Sequence, residues 1–195
     1  MRTSSCPHVQ YSQTVSQAHR RILFCGLALL LVAVVIGFRI QSERPPAELP
    51  GVDITVVNGK PMSLAELRGH PVFVTFWSTT CGICLRERPL LAKLYRELGP
   101  SGLEVVAVAM SYDPPARVAS VMEREGIPFP VALDVDASVE QAFGGVVATP
   151  TSFLFAPDGK LVYRKQGASD MEAVRHRILL LLAARQDSPR TKTST

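Results

Sequence analysis

The chain has 195 residues, 47% hydrophobic and 19% charged, with 15 Pro, 13 Gly and four Cys, which leaves room for one ordinary globular domain plus flanking sequence and argues against a two-domain enzyme. Low charge and a mean hydropathy of +0.17 exclude a disordered chain, and four cysteines are too few for a disulfide-stapled scaffold. The formal charge of +4 and pI near 9.0 fit nucleic acid or a membrane surface equally well until the charge is placed along the chain.

Residues 1–21 form a short N-terminal segment, expected to be cytoplasmic. From Ile22 to Phe38 the sequence is uninterruptedly apolar, ILFCGLALLLVAVVIGF, with Arg20 and Arg21 before it and Arg39 after it. A helix over this run reaches roughly 25 Å, the short end of what crosses a ~30 Å hydrocarbon core, and Arg39 can snorkel while Ile40 extends the run. A transmembrane anchor is therefore expected over 22–40. A cleaved signal peptide fits less well because no small-x-small site follows Phe38, and a buried soluble helix would show polar positions at helical spacing. Cys25 lies too early in the run to be a lipid-attachment site. Arg2, Arg20 and Arg21 precede the span while Arg39 and Arg44 follow it, a small bias that places the N-terminus inside and the rest of the chain outside the cytoplasm.

The next segment, QSERPPAELP (41–50), carries Pro45, Pro46 and Pro50 and reads as an extended linker. A single domain is expected over 51–184, followed by a polar, disordered tail over 185–195. Between residues 45 and 184 there are 13 basic and 15 acidic side chains, so the positive excess lies in the flanks and the domain itself is mildly acidic. No nucleic-acid partner is expected.

Within the domain, Asp53 to Val57 and Met62-Ser63 flank Asn58-Gly59, a strong hairpin signal. Ser63 with Glu66 three residues on reads as a capping box opening a short helix that Gly69 ends. An apolar strand follows from Pro71 to Trp77, then a helix from the Cys81 region to about Leu98. A second apolar strand, Leu103 to Met110, precedes a helix over about Pro115 to Glu125, a short strand near Phe129 to Leu133 and a short helix near Ser138 to Phe143. Thr151 to Ala156 and Leu161 to Gln166 form a hairpin around Pro157-Asp158-Gly159-Lys160. An amphipathic helix from about Asp170 to Ala183 closes the domain. This alternation predicts an α/β fold with a mixed sheet covered on both faces.

The chemistry is concentrated in Trp77-Ser78-Thr79-Thr80-Cys81-Gly82-Ile83-Cys84, a C-x-x-C where an apolar strand gives way to a helix. A cysteine at a helix N-terminus meets unpaired N–H groups and the positive end of the dipole, which favour thiolate over thiol. Cys81 is thus the expected nucleophile. Cys84, nearly one turn on and less exposed, is the expected resolving thiol. Zinc would require about four ligands, yet there is no second C-x-x-C and His8, His19, His70 and His176 have no ligand spacing. A purely structural disulfide across so short a loop would constrain the unfolded chain little. A copper-binding assembly factor needs only two thiolates but shows no paired His or Met at recognisable spacing. A peroxidase with the pattern P-x-x-x-T-x-x-C would require Pro at Val74 and Thr at Ser78. No cofactor or metal is expected, and Cys6 and Cys25 are read as unpaired thiols.

FVTFWSTTCGICLRERPLL, with GKPMSLAELRGHPV before it and ATPTSFLFAPDGKLVYRKQG after it, resembles the membrane-anchored thioredoxin-like proteins of the TlpA and ResA type over roughly residues 48–184. The resemblance implies a thioredoxin fold with an N-terminal β-hairpin and an inserted helix, an extracytoplasmic location and thiol-disulfide exchange. It implies a cis Thr149-Pro150 bond facing the C-x-x-C and presenting backbone groups to a client strand, and a helix kink at Pro89. Glu87 matches the acidic residue of the C-x-x-C-x-x-E pattern; three residues after Cys84, it can exchange a proton with that thiol. Arg86 and Arg88 are expected to be solvated, and Trp77 to be half core and half docking surface. Thr75 stands where thioredoxin has a buried Asp, which leaves proton transfer to Glu87. The implied partners are proteins with disulfides or thiols, the bilayer, and a membrane donor of reducing equivalents. Clients in cytochrome c maturation or copper-site assembly are implied for a reductase; the same residues run backwards would make an oxidant.

Overall fold

The computed structural model describes residues 24, 26–35, 37, 44–57 and 60–187. The expected segment 1–21, the Asn58-Gly59 turn and residues 188–195 of the expected tail lie outside the described residues. The chain divides into two compact units between Glu43 and Arg44. In the first, residues 26–35 are helical with exposed apolar side chains such as Leu29 and Val34. Among the described residues no helix is long and apolar enough to cross a membrane; the remainder of the expected 22–40 span lies outside them.

The second unit is built on a seven-stranded sheet. Its strands are β1 (Asp53–Val56), β2 (Pro61–Ser63), β3 (Val72–Trp77), β4 (Glu104–Ala109), β5 (Val131–Leu133), β6 (Thr151–Phe155) and β7 (Leu161–Gln166), in the spatial order β2-β1-β5-β4-β3-β6-β7. β3, β4 and β5 run parallel, and the remaining pairs are antiparallel. Among the described residues α1 (Gly82–Leu98), α2 (Pro115–Glu125) and α3 (Ser138–Ala142) connect strands, and α4 (Met171–Asp187) follows β7.

Central β3 is buried at every residue, as a strand covered on both faces must be. Its period of two distributes Val72, Val74 and Phe76 to one core, with Phe143, Phe153 and Phe155, and Phe73 and Trp77 to the other. The Trp77 core is completed by Leu91 and Leu94 of α1, Val118 of α2, and Val174 and Ile178 of α4. At the heart of the sheet Thr75 is satisfied by the Ser152 hydroxyl at 3.0 Å, so the strand carries no buried carboxylate at that position.

Three expectations are corrected. The Ser63 capping box does not form: Leu64–Leu67 is a single 3-10 turn, and the Ser63 side chain makes no cap bond. Leu64 N–H donates to Val52 C=O, and Gly69 at φ +89° ends the turn before a second turn can begin. Part of the expected linker is packed: Leu49 is 1% exposed, its N–H donates to Gly159 C=O, and Leu161 N–H donates to Ala47 C=O. Prolines hold this stretch extended, and an extended segment with an apolar side chain can pair against the β6–β7 turn. Gly144, at φ +83°, permits the approach, because a Cβ there would run into the Arg44 carbonyl. Finally, α4 continues to Asp187, three residues into the expected tail, after a start capped by Asp170, whose Oδ1 accepts from Glu172 and Ala173 N–H.

Candidate active site

The carboxyl end of β3 runs directly into the N-terminus of α1, and Cys81 is the N-cap of that helix. Cys81 and Cys84 are joined in a disulfide with their Cα atoms 5.2 Å apart. Cys84 N–H donates to Cys81 Sγ at 3.2 Å, the contact by which a helix N-terminus stabilises a thiolate. The two sulfurs differ in access. Cys84 is 2% exposed, whereas Cys81 is partly exposed between the open residues Thr80 and Gly82.

Opposite Cys81, the Thr149-Pro150 bond is cis, and Thr149 C=O lies 3.4 Å from Cys81 Sγ. Pro150 is buried and its carbonyl accepts from Gly167 N–H, while Thr151 Oγ1 donates to Ala148 C=O. The loop facing the sulfur is thereby fixed from both sides.

Glu87 is half-buried on α1, and its Oε1 accepts from Ser169 N–H in the loop before α4. Burial pushes its carboxyl above the ordinary 4.5, and the Ser169 N–H pulls the other way. A carboxyl group so placed, one turn from Cys84, is suited to taking or returning the proton of that thiol.

The family model Redoxin matches residues 45–178. The chain belongs to the Redoxin family. It is 35% identical over 141 residues to the thiol-disulfide oxidoreductase ResA of Bacillus subtilis, covering 72% of this chain and 77% of that protein. ResA of Bacillus anthracis is 31% identical over 160 residues, 78% of this chain and 91% of that one. The crystal structure of a thiol:disulfide interchange protein of the thioredoxin family from Chlorobium tepidum superimposes with a TM-score of 0.64 at 26% identity, covering 71% of this chain and 97% of that one. With the Cys81–Cys84 disulfide, this makes the protein a Redoxin-family thiol-disulfide oxidoreductase with a thioredoxin fold, acting on protein thiols or disulfides.

Two side chains of this Redoxin domain stand otherwise than expected. Trp77 is 2% exposed and presents no docking surface, because α1 and its Arg88 cover it. Arg88, expected in solvent, is 7% exposed: its guanidinium carbon lies 4.8 Å from the Trp77 ring centroid, and Nη2 donates to Glu125 Oε1 at 2.8 Å. Pro89 stands inside α1 as expected, where its ring removes the bond an N–H would give to Leu85 C=O.

The residue that sequence reasoning missed is Asp113, 7% exposed in the loop after β4. Its carboxylate accepts from Thr79 N–H at 2.7 Å, Thr79 Oγ1 at 2.8 Å and Ser78 Oγ at 3.3 Å. Ser78 Oγ in turn accepts from Thr80 N–H, and Cys81 N–H donates to Ser78 C=O. Asp113 thus clamps the three residues that carry Cys81. The available signal was positional: Asp113 follows a strand paired in parallel with β3, at the carboxyl ends where α/β sheets build their sites.

Proposed function

We propose that the protein is a membrane-anchored, periplasm-facing reductase of protein disulfides, with clients in cytochrome c maturation or copper-site assembly. The unequal access of the two sulfurs supports the exchange chemistry at its centre. A client can reach Cys81, whose sulfur sits on the α1 N-terminus, while Cys84 waits behind it. In the forward direction Cys81 thiolate attacks one sulfur of a client disulfide, forming a mixed disulfide and expelling the other client sulfur as a thiolate that takes up a proton. Cys84, deprotonated toward Glu87, then attacks Cys81 Sγ. The Cys81–client bond breaks, the second client sulfur leaves with its electron pair and is protonated, and the Cys81–Cys84 disulfide is formed. Two electrons pass to the client, and a membrane thiol donor must return them.

The apolar run 22–38 with its basic N-terminal flank supports the anchor and the orientation, and the TlpA and ResA resemblance supports the compartment, the direction and the clients. The reduction potential of the full chain tests the direction: a value near or below about −250 mV is expected, and one near about −120 mV would make the protein an oxidant using the same residues. A reporter fused after Gly51 should be active only outside the cytoplasm; activity inside overturns the orientation.

A further inference from the structure

Arg88 belongs to the redox helix and sits one turn beyond Cys84, at a spacing that brings Cβ atoms to about 6 Å on one helical face. Both side chains are buried against Trp77 on the same side of the sheet. Among the described residues the guanidinium has one charged partner, Glu125 at the end of α2, and that partner is itself a third exposed. Nε and Nη1 of Arg88 are buried with no hydrogen-bond partner. A buried cation with donors unmet is costly unless another state of the molecule supplies an anion. The structure shows the oxidised state, in which Cys84 is neutral. On reduction the dithiol gains a negative charge at the N-terminal end of the helix that carries Arg88.

We infer that Arg88 is a tuning and positioning residue for the dithiol: its cation stabilises the negative charge that the pair carries when reduced, and Glu125 attenuates that effect. Arg88 and Glu87 belong to the helix that carries Cys84, and Glu125 belongs to α2. Arg88 favours the thiolate, while the two carboxylates, when ionised, oppose it. Stabilising the reduced form makes the pair more oxidising than the bare helix N-terminus would make it. The inference rests on Cys81 and Cys84 exchanging with thiols and is independent of client and compartment.

The test is equilibration of the full chain with glutathione, in which the disulfide and two glutathione thiols give the protein dithiol and one glutathione disulfide. The redox state is read by acid quench and mass spectrometry of the Cys81–Cys84 peptide, so that Cys6 and Cys25 do not contribute. Arg88→Met should lower the equilibrium constant threefold to tenfold, a potential about 15 to 30 mV more negative. Glu125→Gln should move it the opposite way. Shifts of the same sign in Arg88→Met and Glu125→Gln, or no shift in either, overturn the inference, since a merely structural role predicts no sign reversal. Should Arg88→Met fail to fold, Glu125→Gln decides alone: a lowered or unchanged constant refutes the tuning. A parent chain that never equilibrates with glutathione is a different failure, that of the exchange chemistry itself.

Discussion

Asp113→Ala removes the carboxylate that holds Ser78 and Thr79 without touching either cysteine. Two of its bonds, at 2.7 and 2.8 Å, have good length and the third, at 3.3 Å, is long. Hydrogen bonds to charged groups contribute about 1.5 to 3 kcal/mol each, and truncation leaves the Thr79 donors to find water in a site that is nearly closed. Discounting for the long bond and for coupling among bonds sharing one acceptor, the variant should lose roughly 2 to 4 kcal/mol of stability. Urea unfolding of the oxidised chain at constant m-value measures it. Because Thr79 lies two residues before Cys81, the sulfur also loses its placement over the helix terminus, and exchange with a peptide disulfide should slow by about tenfold. Asp113→Asn, which keeps the shape and one acceptor oxygen, should fall between the two. A stability loss under about 0.5 kcal/mol would refute the clamp; a full stability loss with parental exchange rate would confine Asp113 to holding the fold.

Glu87→Gln should slow the resolving attack of Cys84 by tenfold or more near neutral pH and remove the carboxyl limb from its pH profile, as followed by stopped-flow decay of a mixed disulfide. The same variant tests the linkage. Because burial raises the Glu87 carboxyl, the folded chain holds a proton that the unfolded chain releases from about 4.5 upward. Its contribution to stability is therefore complete below 4.5 and is lost as pH rises through the raised value; Glu87→Gln should flatten that fall, and an unchanged slope would count against the assignment. Leu49→Ala should cost about 2 to 4 kcal/mol by urea unfolding if residues 47–49 are packed on the domain, whereas a free linker would show no change. Gly144→Ala should cost more than about 1 kcal/mol and expose residues 44–49 to limited proteolysis, since it combines a positive φ with a clash at the Arg44 carbonyl.

What could be read from the sequence was local in origin. The apolar run Pro71 to Trp77 followed by C-x-x-C specifies a buried strand ending in a helix N-terminus, and that junction alone places Cys81 and Cys84 and gives them different exposure. The hairpin around Pro157-Asp158-Gly159-Lys160 and the apolar spacing of α4 are equally local, and both elements form. What could not be read depends on partners far along the chain. Arg88 looks like a solvated helix charge until Glu125, 37 residues away, and the Trp77 ring are brought to it by packing of α2 and β3 against α1. Asp113 looks like a turn residue before two prolines until parallel pairing of β3 and β4 sets it beside Thr79, 34 residues earlier. The capping box pattern likewise did not show that residues 64–67 would stop at a single 3-10 turn, docked by the Leu64 N–H on Val52 C=O. Leu49 resembled linker because a single apolar residue among prolines has no periodicity to reveal its burial.

The most direct test of the account is the fate of a mixed disulfide in the Cys84→Ser chain. Challenged with a disulfide-containing client protein, this variant should accumulate a covalent adduct that maps by mass spectrometry to Cys81 and dissolves on adding dithiothreitol, while Cys81→Ser traps little. Adducts that map to Cys6 or Cys25, or equal trapping by both variants, would contradict the assignment of Cys81 as nucleophile and Cys84 as the thiol that releases the client.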